Sequence, residues 1–225
     1  MESATTTAGT VGERMAPELS ISPPSSWPAV GVSLSKRAFD VILTLLLLLF
    51  FAPLMMTIAL SVIATSRGPA LFRQRRTGLG GQVFVIYKFR TMTVMEDAEV
   101  QAACRGDKRV TPIGAVLRRS SLDELPQLFN VLRGDMSLVG PRPHAVAHDE
   151  IYGALLPEYA DRFRTRPGLT GLAQVNGHRG EMRTLESLQA RVAADNCYIA
   201  QWSLLLDVRI LASTGMLIWK DEHAY

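Results

Sequence analysis

From Val41 to Ala64 the chain runs through 24 consecutive uncharged and mostly apolar residues, with Pro53 at the middle. A straight helix over this run would be about 36 Å long, enough to cross a hydrocarbon core of about 30 Å. Proline in a helix interior removes one backbone hydrogen bond and crowds the preceding turn, so the sequence predicts a bend at Pro53. Each arm would then reach only about half-way across the core. Lys36 and Arg37 flank one end of the run and Arg67, Arg73, Arg75 and Arg76 the other. The positive-inside tendency therefore assigns both ends to the cytoplasm. A re-entrant helix-break-helix satisfies that tendency and is the preferred reading, and the alternative is an ordinary span with a proline kink, which transmembrane helices tolerate. A soluble buried helix seldom needs so many consecutive uncharged residues.

The remaining chain is long enough for one well-packed domain, since the protein has 225 residues of which 48% are hydrophobic. The organisation expected is a disordered tail at 1–34, rich in Ser, Thr, Pro and Gly and without a signal-peptide pattern, a membrane helix at 35–66, and a cytosolic catalytic domain at 67–225. The fold class expected is α/β and mainly helical, monotopic on the membrane, with a small β-hairpin in the catalytic domain. A formal net charge of +3 favours an anionic partner, and acidic lipids, nucleotides and nucleic acid all qualify on charge alone. No groove-reading or base-stacking motif is present, so nucleic acid is not expected. Cys104 and Cys197 stand far apart, in no metal-ligand spacing, which fits a reduced cytoplasmic domain.

Leu71 to Arg76 and Gln82 to Met92 read as extended segments joined by Gly78-Leu79-Gly80-Gly81, a β-hairpin. These glycines match neither dinucleotide nor P-loop patterns and are read as a turn. From Arg67 to Arg90 there are six basic residues and no acid, a surface suited to lipid phosphates or a nucleotide diphosphate. Lys88 and Arg90 alternate with Tyr87 and Phe89 and are expected on one strand face. Further on, Arg118, Arg119, Asp123 and Glu124 gather before Leu125-Pro126, where a helix would end or be reset. One carboxylate can attack phosphorus while a neighbour helps hold Mg²⁺ against substrate phosphates. An exposed helix pair is the plainer reading of two adjacent acids.

Lys36 to Asp40, Lys88-Phe89-Arg90-Thr91-Met92 and Ser121 to Pro143 (SLDELPQLFNVLRGDMSLVGPRP) together strongly resemble the bacterial sugar transferase family, the monotopic polyprenyl-phosphate phosphoglycosyl transferases. The resemblance runs from about Ser35 to Tyr225. It implies a re-entrant membrane helix broken at Pro53, a catalytic domain on the cytoplasmic face of the bacterial inner membrane, and an Asp-Glu dyad at Asp123 and Glu124. It further implies that Asp123 attacks the β-phosphorus of a UDP-sugar, expelling UMP, and that undecaprenyl phosphate then collects the phosphosugar to start exopolysaccharide or other glycan assembly. Glu124 matches the family's Mg²⁺ ligand, and Arg142 in Pro141-Arg142-Pro143 its phosphate-binding arginine. Lys88, Arg90 and Arg119 are further phosphate-contact candidates, and Arg166 and Gln174, in the stretch from Arg166 to Gly177, are candidate nucleotide contacts. Gly168, Gly171 and Gly177 there are read as turn formers.

Many members have Gly-Arg-Asn where this chain has Gly177-His178-Arg179-Gly180-Glu181. With His144-Ala145-Val146-Ala147-His148 and Thr184-Leu185-Glu186, this resembles the undecaprenyl-phosphate glucose phosphotransferase branch, and UDP-glucose is the preferred donor. A hexose epimer differs by one hydroxyl orientation, so UDP-galactose stays open, as does a non-catalytic membrane-surface binding role of a different class. His144 and His148 lack the glutamate of H-E-x-x-H and an obvious third ligand, so surface or loop-packing roles are expected rather than zinc. Asp195 to Trp219 places Tyr198, Ile199, Trp202, Leu205 and Leu206 on one helical face, expected to pack on the core or lie at the membrane interface. The sequence leaves the oligomeric state open.

Overall fold

A computed structural model describes residues 29–93, 107, 109–178 and 184–220. The expected tail up to residue 28, Cys104, residues 179–181 of the sugar-branch pattern and the side chain of Trp219 lie outside the described residues.

The described chain opens with a short helix, α1 (Ala29–Val32), inside the span assigned to the tail, and its Val30 is buried in the main core. Helix α2 (Leu34–Thr65) follows, started by Ser33, whose hydroxyl accepts the Lys36 N–H at 3.2 Å. Pro53 lies inside α2, and one continuous helix replaces the expected helix-break-helix. The proline deprives only the Leu49 carbonyl of its donor, and packing on both sides carries the helix through it. Beyond Pro53, the hydroxyls of Thr57, Ser61 and Thr65 bond back to the carbonyls of Pro53, Thr57 and Ser61 at 2.9, 2.8 and 2.7 Å, the side-chain bonding that lets hydroxyl residues sit in a helix interior.

One side of α2 faces the domain along its whole length. Lys36, Asp40, Thr44, Met55, Ile58 and Val62 are buried, with Leu47, Leu48 and Phe51 packed between them, at the three- and four-residue steps of a single helix face. The other side exposes Leu45, Leu46, Leu49, Phe50, Met56 and Leu60. Polar anchors secure both ends. Near the start, Lys36 Nζ donates to Asp207 Oδ2 at 2.9 Å, and Asp40 accepts from Ser137 Oγ at 2.8 Å and the Leu138 N–H at 3.1 Å. At the finish, the Arg90 guanidinium donates to the carbonyls of Val62, Ser66 and Arg67, the last two lying past the end of the helix, where no intrahelical donor reaches them.

The expected hairpin is present: β1 (Leu71–Thr77) pairs antiparallel with β2 (Val83–Phe89), in a register running from Leu71 opposite Phe89 to Thr77 opposite Val83. Its turn uses Gly80 and Gly81 at φ +65° and +79°, backbone angles that glycine adopts without a Cβ clash. Helix α3 (Pro112–Arg119) is capped by Thr111, and α4 (Gln127–Arg133) lies against the free edge of β2, where Asn130 accepts the Tyr87 N–H at 3.1 Å and donates to the Val85 carbonyl at 2.7 Å. A second sheet was not expected: β3 (Ser137–Val139) pairs in parallel with β4 (Gly168–Thr170). Gly168 serves this pairing rather than a turn, because a Cβ there would lie 2.1 Å from the Gly140 nitrogen. Between these strands lie α5 (Val146–Leu155) and a 3₁₀ stretch, Pro157–Arg164.

After β4 come α6 (Leu172–Val175), α7 (Leu185–Gln201) and α8 (Leu204–Lys220). The expected continuous stripe from Asp195 to Trp219 is thus interrupted at Trp202 and Ser203. Tyr198 and Ile199 enter the core with Leu128, Val131, Met136 and Leu138, whereas Leu205 is exposed. Asp207 fixes the elbow by accepting the Tyr198 hydroxyl at 2.8 Å and the Trp202 indole N–H at 3.0 Å.

Candidate active site

Helix α3 ends at Ser120, and the chain reverses through Ser121 at φ +55°. No other non-glycine among the described residues has a positive φ, a conformation that costs an L-residue about 1–2 kcal/mol. The reversal delivers Asp123 and Glu124 on a 3₁₀ turn, Leu122–Glu124, instead of the α-helix read from sequence. Successive side chains on such a turn diverge by about 120°. The two acids therefore meet different surroundings.

Glu124 is clamped. Lys88 Nζ donates to Oε1 at 2.7 Å, and Arg142 forks onto the same carboxylate, Nη2 to Oε1 at 2.6 Å and Nη1 to Oε2 at 3.2 Å. Burial alone would raise the Glu124 pKa, but Arg142 and then Lys88 outweigh it and hold the carboxyl far below the usual range. Asp123 moves the opposite way. Burial, followed by the charge of Glu124, pushes it up to about 6 against the pull of Lys88, Arg142 and Arg118. At neutral pH both acids are ionised, one neutralised by two cations and the other half-buried beside them.

This arrangement suits a substrate phosphate, which would share the cations while presenting phosphorus to the free carboxylate. It also suits Mg²⁺, which takes one or two protein carboxylates and completes its shell with water and substrate oxygens. Glu124 Oε2 accepts one bond at 3.2 Å, leaving it capacity for another ligand. Among the described residues no group of three or more His, Cys, Asp and Glu could form a metal cage.

Of the expected contacts, Lys88 and Arg142 converge on the dyad. Arg90 does not: β2 ends at Phe89, and the guanidinium is buried on the carbonyls that close α2. Arg166 lies elsewhere too, its Nε donating to the Gly134 carbonyl at 2.9 Å behind α4. Gln174 is buried and donates to the Leu169 carbonyl at 3.3 Å. Arg119 is exposed at the end of α3, whereas its half-buried neighbour Arg118 is the residue whose charge acts on Asp123. The sequence offered Arg118 and Arg119 as equals, and the phase of α3 separates them.

Behind Arg142 lies a buried polar network that motif reading did not reveal. His144 is buried, with Nδ1 2.6 Å from the Tyr159 hydroxyl, and that hydroxyl bonds Asp149. Arg162 Nη1 stands 3.2 Å from the same ring nitrogen and Arg191 Nη1 3.4 Å from Nε2. Burial and the charge of Arg162 hold the imidazole pKa well below its usual value, so the ring is neutral.

The acid pair lies within a lysine and arginine clamp, in a chain whose helix α2 is long and apolar enough to cross a membrane. The bacterial sugar transferase model matches residues 32–221, and the chain belongs to that family. It is 54% identical over 208 residues to the UDP-glucose:undecaprenyl-phosphate glucose-1-phosphate transferase of Caulobacter vibrioides, covering 92% of this chain and 78% of that protein. Proteins of the same name from Klebsiella pneumoniae and Escherichia coli K12 are each 49% identical, over 191 and 200 residues, 84% and 88% of this chain. The chain spans only 41% and 43% of the length of those two.

Proposed function

We propose that this protein transfers glucose 1-phosphate from UDP-glucose to undecaprenyl phosphate, releasing UMP, as the first step of assembling a membrane-linked glycan. The observation that carries the reading is the division of the dyad: Glu124 locked between Lys88 and Arg142, and Asp123 ionised beside them without such a lock. In the first half-reaction an Asp123 carboxylate oxygen bonds to the sugar-bearing β-phosphorus, and the bond from that phosphorus to the bridging oxygen breaks. UMP leaves with the bridging oxygen. In the second half-reaction a phosphate oxygen of undecaprenyl phosphate bonds to the same phosphorus, the aspartyl bond breaks, and the carboxylate is restored. The acceptor is already anionic, so no general base is needed. Arg142 and Lys88 offset charge on the phosphate oxygens, and Arg118 adds a third cation near Asp123. Glu124 would hold Mg²⁺, which would supply further charge neutralisation to the diphosphate.

The same reading makes the protein monotopic on the bacterial inner membrane, with its domain on the cytoplasmic face. Support comes from α2, both of whose ends are anchored to one domain while its outer side is apolar, and from the basic residues flanking both ends. A helix crossing to the far side would carry one of those anchored ends away.

The test is UMP release by purified, detergent-solubilised protein with undecaprenyl phosphate and Mg²⁺, comparing UDP-glucose, UDP-galactose and N-acetylated UDP-sugars. UDP-glucose should be the best donor, and Asp123→Asn should abolish release while leaving membrane association intact. Preference for another sugar would overturn the donor, retained turnover in the variant would overturn the nucleophile, and no release from any donor would overturn the enzyme.

A further inference from the structure

Arg142 has two separate attachments. Its guanidinium forks onto Glu124, and its own carbonyl accepts a hydrogen bond from Arg162 Nη2 at 2.6 Å. Pro141 and Pro143 flank it and have no N–H to donate, and the Pro141 carbonyl accepts the Gly168 N–H at 2.9 Å. Behind it, the buried Arg162 directs each nitrogen of its guanidinium to a different group: Nε to Asp195 Oδ2 at 2.8 Å, Nη1 to His144 Nδ1 at 3.2 Å and Nη2 to the Arg142 carbonyl. The guanidinium lies 4.9 Å from the Tyr159 ring centroid, which fixes its plane. Asp195, on α7, is also buried. A continuous path of bonds thus runs from α7 through Asp195, Arg162 and Arg142 to Glu124.

A buried ion pair is weak as a source of stability, because apolar residues of similar volume often serve as well. The pair here does something apolar residues cannot, since one of its donors holds the loop that presents Arg142. We propose that Arg162, braced by Asp195, is a positioning residue for the transferase reaction, setting the loop at residues 141–143 so that the Arg142 fork meets Glu124 and the substrate phosphate. The proposal rests on the transferase reading for its kinetic consequence and on loop geometry for the rest. Arg162 touches no reacting atom. Lysine at this position keeps the charge opposite Asp195 but cannot reproduce the planar, three-direction fork.

The full chain in detergent is compared with Arg162→Lys by UMP release, thermal unfolding and hydrogen exchange at the Gly140, Arg142 and His144 amides. The expected result is an unfolding temperature near wild type, kcat lowered about 10- to 100-fold, KM for UDP-glucose changed by less than about threefold, and faster exchange confined to those amides. If Arg162→Lys does not fold, the double variant Arg162→Met with Asp195→Leu replaces the pair by apolar bulk, and the same kinetic and exchange changes are expected. A folded variant of either kind with wild-type kcat overturns the proposal, as does a loss carried by KM. Should wild type release no UMP from any UDP-sugar, the transferase reading falls, and exchange alone decides: faster loop exchange upholds the positioning role and unchanged exchange overturns it.

Discussion

Two adjacent acids acquire opposite character here from their partners. Glu124 is an ionised strut between two cations, whereas Asp123 is half-buried with its pKa raised from 3.8 to about 6. That shift has a consequence for stability. The folded-state pKa lies above the unfolded value, so the folded protein binds more protons between about pH 4 and pH 6, and stability falls as pH rises through that window. In metal-free buffer, Asp123→Asn should therefore be more stable than wild type at pH 7.5 by about 1–3 kcal/mol, a gain that disappears near pH 4. Thermal unfolding of both proteins in EDTA across this range checks it, and equal stability at pH 7.5 would contradict the raised pKa. The dyad, Lys88 and Arg142 were legible as residues in sequence because their motifs keep them in short, recognisable strings. Their clamp geometry was not, since Glu124 meets Lys88 from 36 residues upstream and Arg142 from 18 downstream.

At the scale of elements, Arg90 illustrates what local pattern misses. Alternation along β2 groups it with Lys88, but the strand stops at Phe89 and the guanidinium turns to the end of α2, 24 residues back at Ser66. Arg90→Met should then destabilise the protein by about 1–3 kcal/mol, the cost of stranding buried carbonyls, with KM for UDP-glucose unchanged. A raised KM at unchanged unfolding temperature would restore Arg90 to the phosphate site. The hairpin was readable from two β-rich runs around a glycine turn. The β3–β4 pairing was not, because each strand has three residues and they lie about thirty residues apart, with neither run long enough to show a period. The α7–α8 elbow left a faint signal in Ser203, whose hydroxyl accepts the Leu206 N–H at 3.2 Å as a helix start requires. The apolar stripe running through it masked that cap.

For the molecule as a whole, the proposed attachment to the membrane turns on α2. Its length alone suits a span, and the proposed monotopic attachment rests on the docking of its inner side against the domain. Single cysteines replacing Ser35 and Thr65, in a background without Cys104 and Cys197, should both react with a membrane-impermeant maleimide from the cytoplasmic face alone. Labelling of the two positions from opposite faces would establish a span.

Whether Asp123 carries the phosphosugar between donor and acceptor is read by mass spectrometry of the protein after incubation with UDP-glucose and Mg²⁺ without undecaprenyl phosphate. A peptide bearing one hexose phosphate on Asp123 is expected, lost when undecaprenyl phosphate is added and absent from Asp123→Asn. An adduct on another residue, or turnover by wild type with no adduct under conditions that trap the first half-reaction, would contradict it.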